Sequence, residues 1–184
     1  MKRLIIPLLA VINSAISFTG YAQQINILEG DLAPLKGEKI INTEFTYENM
    51  RVDKFKTEAE YVAKNKDDHN RRKNDFTGKD WYKIWIDDRQ NLYEPKFNKL
   101  FEKYSNIRVT VDRNDARYII TGDSYAETDA EVWIVEAVTG NLIAKILVEN
   151  AKSSPGVTDE GERIAECYAD AGKALGKWLK GKIK

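Results

Sequence analysis

The chain has 184 residues, no formal net charge, 32% charged and 42% hydrophobic residues, and one cysteine, Cys167. Such a composition excludes global disorder, a nucleic-acid surface built on excess positive charge, and any intrachain disulfide.

In chain order, Lys2 and Arg3 open a short positive start. An apolar stretch from Leu4 to Phe18 follows, broken by Pro7, Asn13 and Ser14, and then Gly20-Tyr21-Ala22 puts small residues three places and one place before Gln23. That layout predicts a signal peptide over 1–22, cut between Ala22 and Gln23. The apolar run is too short and too broken to span a bilayer, which needs roughly 20 apolar residues. Removing 22 of the 184 residues leaves 162, one domain's length, and takes the basic count to 27 against 29 acidic residues. No cysteine stands near Ala22 to carry a lipid. The product is therefore expected to be soluble, periplasmic or secreted, with no stable membrane anchor and no nucleic-acid partner.

Residues 23–37 read as a loose lead-in carrying turn formers (Gly30-Asp31, Pro34, Gly37), and 38–184 as a single domain. Ile40 to Tyr47 alternates like a strand. Thr57 with Glu60 forms a capping box for a helix reaching about Asp68. Thr77-Gly78-Lys79-Asp80 starts the next helix, in which Trp81, Ile84, Trp85, Asp88 and Leu92 share one face. Pro95 falls inside the periodic stretch and predicts a kink or restart, after which Phe97, Leu100, Phe101 and Tyr104 form a second stripe. From Ile107 the period is two: strands are expected over 107–111, 117–121, 131–138 and 142–149, the last two joined by a turn at Thr139-Gly140-Asn141. Asp159 with Glu162 caps a final helix to about Lys180. One of its faces carries Ile164, Tyr168, Ala171, Leu175 and Trp178, and the small residues Ala165, Ala169, Gly172 and Gly176 lie beside it. The order β-α-α-(α)-β-β-β-β-α predicts an α+β fold, a mostly antiparallel sheet of about five strands with helices packed on one face.

Two stretches, Tyr47 to Phe55 leading into Thr57-Glu58-Ala59-Glu60-Tyr61, and Trp85 through Asp88-Arg89 to Tyr93-Glu94-Pro95-Lys96-Phe97, resemble an uncharacterised family of secreted or periplasmic proteins of Gram-negative bacteria. The spacing from Asp115-Ala116-Arg117-Tyr118-Ile119-Ile120 to Val138-Thr139-Gly140 resembles the N-terminal domain of TolB and transporter auxiliary lipoproteins. The second resemblance implies a binding or assembly role. Neither supplies catalytic residues, and the lipidated cysteine of the auxiliary lipoproteins is missing.

Candidate chemistry is sparse. His69 is the sole histidine and sits in the polar run Asp67 to Arg72, which reads as solvated surface. A lone histidine and a distant Cys167 cannot make a zinc site of three or four ligands. Cys167 reads as a buried thiol at the edge of the last helix's apolar face. Asp123, Glu127, Asp129 and Glu131 form an acidic connection that does not match a calcium loop. Trp81, Trp85, Trp133 and Trp178 fall at core spacing, yet Trp81 and Trp85 with Asp88 between them also make the one speculative ligand-binding set. The expectation is an exported binding or assembly module for a protein partner or ligand, with no catalytic residue, metal or cofactor. Two alternatives stand beside it. One is a glycan-directed hydrolase using carboxylates such as Asp88 or Asp129 in a tryptophan-lined cleft. The other is a self-associating structural protein, a homo-oligomer with the Cys167 helix at its interface.

Overall fold

The computed structural model describes residues 23–183 except 53, 73–74 and 126–128. The leader, Ala22 of the cleavage pair and Glu127 of the acidic connection lie outside the described residues. The elements are β1 (Gln24–Gly30), β2 (Ile40–Arg51), α1 (Glu58–Arg71), α2 (Gly78–Asp88), a π-helical turn (Arg89–Tyr93), α3 (Glu94–Ser105), β3 (Arg108–Thr110), β4 (Tyr118–Tyr125), β5 (Ala130–Glu136), β6 (Leu142–Glu149) and α4 (Glu160–Lys182). The fold is α+β.

All six strands join one sheet in the order β1-β6-β5-β4-β2-β3. The sheet is mostly antiparallel, but β2 runs parallel to both β4 and β3. The helices between β2 and β3 form the long crossover that parallel neighbours require. The sixth strand is β1, which arises inside the expected lead-in and pairs with β6 at the sheet's end. Two expected strands are shorter than their apolar runs. Val111 and Val138 fall beyond the ends of β3 and β5 and are 92% and 93% exposed. Gly140, at φ +72°, closes the β5–β6 turn by donating its N–H to the Glu136 carbonyl.

Register assigns one face of the sheet to the core. Ile120, Ile134 and Ala144 lie in one row across β4, β5 and β6, and Gly122, Val132 and Ile146 in the next. The side chains of Ile120, Val132, Ile134, Ala144 and Ile146 join Phe97 and Phe101 of α3 and Ile164, Leu175 and Leu179 of α4 in one apolar cluster. The opposite face carries Trp133 and Glu131, both engaged by Lys145: its ammonium lies 2.8 Å from Glu131 and 5.3 Å from the indole centre.

The α3 and α4 backbones are in close contact. A Cβ on Gly176 would stand 2.7 Å from the Phe101 carbonyl oxygen, and one on Gly172 would strike the Phe97 carbonyl. The small-residue stripe is thus where α4 meets α3, and glycine's helix penalty of about 1 kcal/mol is offset by that approach. The chain restarts rather than kinks at Pro95. The π turn ends at Tyr93, and proline takes the first turn of α3, where a missing N–H costs nothing.

Candidate functional site

The two stretches that stand out in the sequence, 47–61 and 85–97, meet in space. Thr57 caps α1 by accepting the Glu60 N–H, which sets Glu58 in the first turn. The reciprocal half of the box is displaced by one residue, since the Glu60 carboxylate accepts from the Lys56 N–H. Glu58 Oε1 accepts the indole N–H of Trp85 at 2.5 Å and also pairs with the guanidinium of Arg89. Both side chains of that ion pair are largely buried, Arg89 at 15% and Glu58 at 22% exposure. The Arg89 guanidinium carbon in turn lies 4.2 Å from the ring centre of Tyr47 on β2. Tyr47 donates its hydroxyl to Glu94 Oε1 at 3.0 Å.

The π turn is what aims Arg89 and Glu94 at this cluster. Its wider hydrogen-bonding period inserts a residue into the α2–α3 helix and rotates the following side chains; π turns often mark functional sites. A cleft of ≈ 300 Å³ opens beside it, lined by Phe45, Tyr47, Arg89, Gln90, Asn91 and Glu94 among others. Burial raises the Tyr47 pKa, with Tyr168 and Glu94 adding to the effect. Burial also raises Glu94, against the opposing pull of the Tyr47 hydrogen bond and the Arg89 charge. Tyr47 is thus held as a neutral donor. Arg89 Nε and the hydroxyl of the fully buried Tyr93 have no hydrogen-bond partner among the described residues. The arrangement can offer a ligand an aromatic wall, two amides and a paired acid; its one hydroxyl beside a carboxylate, Tyr47 against Glu94, is held protonated by burial.

Trp81 and Trp85, at 8% and 3% exposure, stack on each other with ring centres 5.7 Å apart, inside the core. Their neighbouring acid is Glu58. Asp88 turns toward the start of α4, where its Oδ2 would lie 2.5 Å from a Cβ on Gly161. Burial raises the Asp88 pKa, and Asp159, Asp87 and Glu162 raise it further. Asp129 is elsewhere. It accepts the Asn150 N–H at 3.0 Å and lines a second, mainly apolar slot of ≈ 40 Å³ with Phe45, Phe97, Ala130, Cys167 and Tyr168. Asp88 lines neither that slot nor the cleft at the π turn.

His69 is more than solvated surface. Its ring stacks on Trp81 at 5.9 Å and meets Phe76 edge-on at 5.2 Å. Burial lowers its pKa and the Arg72 charge lowers it further. Cys167 is buried at 6% exposure. Among the described residues no three His, Cys, Asp or Glu side chains are placed to hold a metal ion. The residues missed by sequence reasoning are Tyr47, Glu58, Arg89 and Glu94. Their only signal was membership of the two resembling stretches.

Searches with this chain match no family model and no curated protein. Among solved structures, the PelC dodecamer from Paraburkholderia phytofirmans overlaps with a TM-score of 0.37 at 8% identity, covering 82% of this chain and 96% of that one. A point variant of the same PelC overlaps at 0.32 with 9% identity, covering 82% and 99%. Likenesses this distant say nothing of what this chain binds or does.

Proposed function

We propose that the protein is an exported binding module that is carried out of the cytoplasm behind residues 1–22, released in soluble form, and holds a ligand or partner segment in the cleft beside the π turn without acting on it chemically. The observation that carries this reading is the pairing inside the cleft. Arg89 is committed to Glu58 and Tyr47 to Glu94, while the amides of Gln90 and Asn91 remain on the wall to recognise something else. Asp87 and Glu94 line the cleft and Glu58 already balances the charge of its one arginine, so the cleft favours a neutral hydrogen-bonding group over an anion. None of the described helices is long and apolar enough to cross a membrane.

The test uses the mature chain as bait in envelope extract beside Asn91→Trp, a variant that plugs the cleft from its rim. A stoichiometric partner retained by the wild type and lost by the variant supports the reading. Equal recovery by both moves the binding surface elsewhere.

One observation favours a second surface. Strand β1 ends the sheet, and its register slips between Ile27 and Glu29 so that the bulge residue Leu28 is 50% exposed beside Ile27 at 41%. An edge with free backbone groups and exposed apolar side chains accepts another strand readily. Capture lost in Leu28→Lys but kept in Asn91→Trp would assign the partner to this edge.

A further inference from the structure

Gln23 is the first residue after the expected cleavage point, and its side chain is unusual in this structure. Its Nε2 is buried and has no hydrogen-bond partner among the described residues. It lines a cleft of ≈ 450 Å³ with Ile25 of β1 and Asp170, Lys173, Lys177 and Trp178 of α4. A buried amide donor without an acceptor is costly, and native structures rarely keep one without a reason.

We propose that Gln23, once freed by removal of the leader, closes on itself to pyroglutamate, so that the working protein begins with an uncharged lactam seated against α4. The proposal rests on the export reading above. In the step, the newly released α-amine attacks Cδ of its own side-chain carboxamide. The bond from that nitrogen to Cδ forms, the bond from Cδ to Nε2 breaks, and Nε2 departs as ammonia with the proton the amine gives up. No oxidant, reductant or second substrate is consumed.

The cleft assists in three ways. Attack requires the neutral amine, and a lining with two lysines, Lys173 and Lys177 (whose ammonium lies 4.9 Å from the Tyr104 ring centre), against the single carboxylate of Asp170 disfavours a further positive charge. Asp170 is also partly engaged, since its Oδ2 accepts the Lys152 N–H at 3.2 Å. The atom that leaves is the unsatisfied Nε2, so closure removes the orphan donor and keeps the carbonyl. The ring's methylenes gain the apolar surfaces of Ile25 and Trp178.

The experiment expresses the full 184-residue chain in an exporting bacterial host, recovers it from the extracytoplasmic fraction, and reads its intact mass and N-terminal sequence over several days. The expected product has the mass of residues 23–184 less one ammonia, about 17 Da, is blocked to stepwise sequencing, and is opened by pyroglutamyl aminopeptidase. A free, sequenceable Gln23 that persists through the time course overturns the proposal and leaves the export reading standing. A product that retains Met1 overturns the export reading and the proposal together, and one cut so that it starts at another residue overturns the proposal and leaves export standing. The double variant Lys173→Glu, Lys177→Glu, with an unchanged circular dichroism spectrum, should close several-fold more slowly; an unchanged rate overturns the role given to the two lysines.

Discussion

Trp85 donates its indole N–H to Glu58 at 2.5 Å, joining α2 to the first turn of α1 across 27 residues of chain. The same carboxylate holds Arg89, one turn further on at the C-terminal end of α2. One acid thereby fixes the indole, the guanidinium and the entry to the π turn.

Neutralising that acid should therefore do more than remove a surface charge. Glu58→Ala leaves both the indole N–H and a largely buried guanidinium unpaired, and should destabilise the fold by about 2–4 kcal/mol. Glu58→Gln keeps an acceptor for Trp85 and should cost less. Urea denaturation of both, with Arg89→Met as the third corner of a double-mutant cycle, measures the coupling. A coupling near zero would mean that the pair contributes nothing net.

The α3–α4 approach makes an opposite pair of predictions for the same substitution. Gly172→Ala gains helix propensity of about 1 kcal/mol but drives its methyl into the backbone carbonyl of Phe97, which cannot rotate away. The net effect should be destabilising by about 1–3 kcal/mol. Gly181→Ala, with nothing within 4 Å of the added carbon, should be stabilising by up to about 1 kcal/mol. Thermal melts of the two variants should move in opposite directions.

Asp88 predicts a pH dependence. Burial and the neighbouring carboxylates raise its folded pKa above the ordinary 3.8, so the native state holds this proton more tightly than the unfolded chain. Its contribution is fully favourable below about 3.8 and is lost as pH rises through the folded value. Asp88→Asn should accordingly raise Tm at pH 7 and lose that advantage under acid conditions below pH 4. A Tm difference that is constant with pH would contradict the assignment.

The slot beside Cys167 offers a stability test and a reactivity test. Ala130→Val adds two methyl groups where Gly122, Ala130, Ala151 and Ala171 leave the lining short of bulk. It should stabilise by about 0.5–1.5 kcal/mol. The thiol itself, at 6% exposure, should react with a disulfide reagent at the rate of native-state opening, so the reaction should accelerate steeply with added urea. Sedimentation that is the same with and without reductant would end the idea of a Cys167-bridged assembly.

The legible parts of the fold were those with long, strong periodicity. The face of α4 from Ile164 to Leu175 is buried as its spacing predicts, and Trp81 and Trp85 of the α2 stripe enter the core, whereas Ile84, expected on the same face, is 49% exposed. Strand β1 was missed because its residues pair on one side only and remain mostly exposed, so alternation carries little signal. The parallel placement of β2 beside β4 depends on how three helical segments cross over, which no local pattern records. The π turn eluded a search at a period of 3.6 because one inserted residue resembles noise. Glu58 looked like an ordinary first-turn acid, and its partners at 85 and 89 became visible only when the two stretches met.

The contact between α3 and α4 also bears on the order in which the chain can fold. Residues 94–105 are synthesised long before 160–182, and the α3 backbone at Phe97 and Phe101 is approached by Gly172 and Gly176 of α4. In a chain made from its N-terminus, the apolar seam of α3 stays unmatched until the final helix has emerged. The topology alone then holds the nascent chain pliable until the ribosome has nearly finished. A truncation ending before Glu160 should remain a client of holding chaperones, never a smaller version of the native protein.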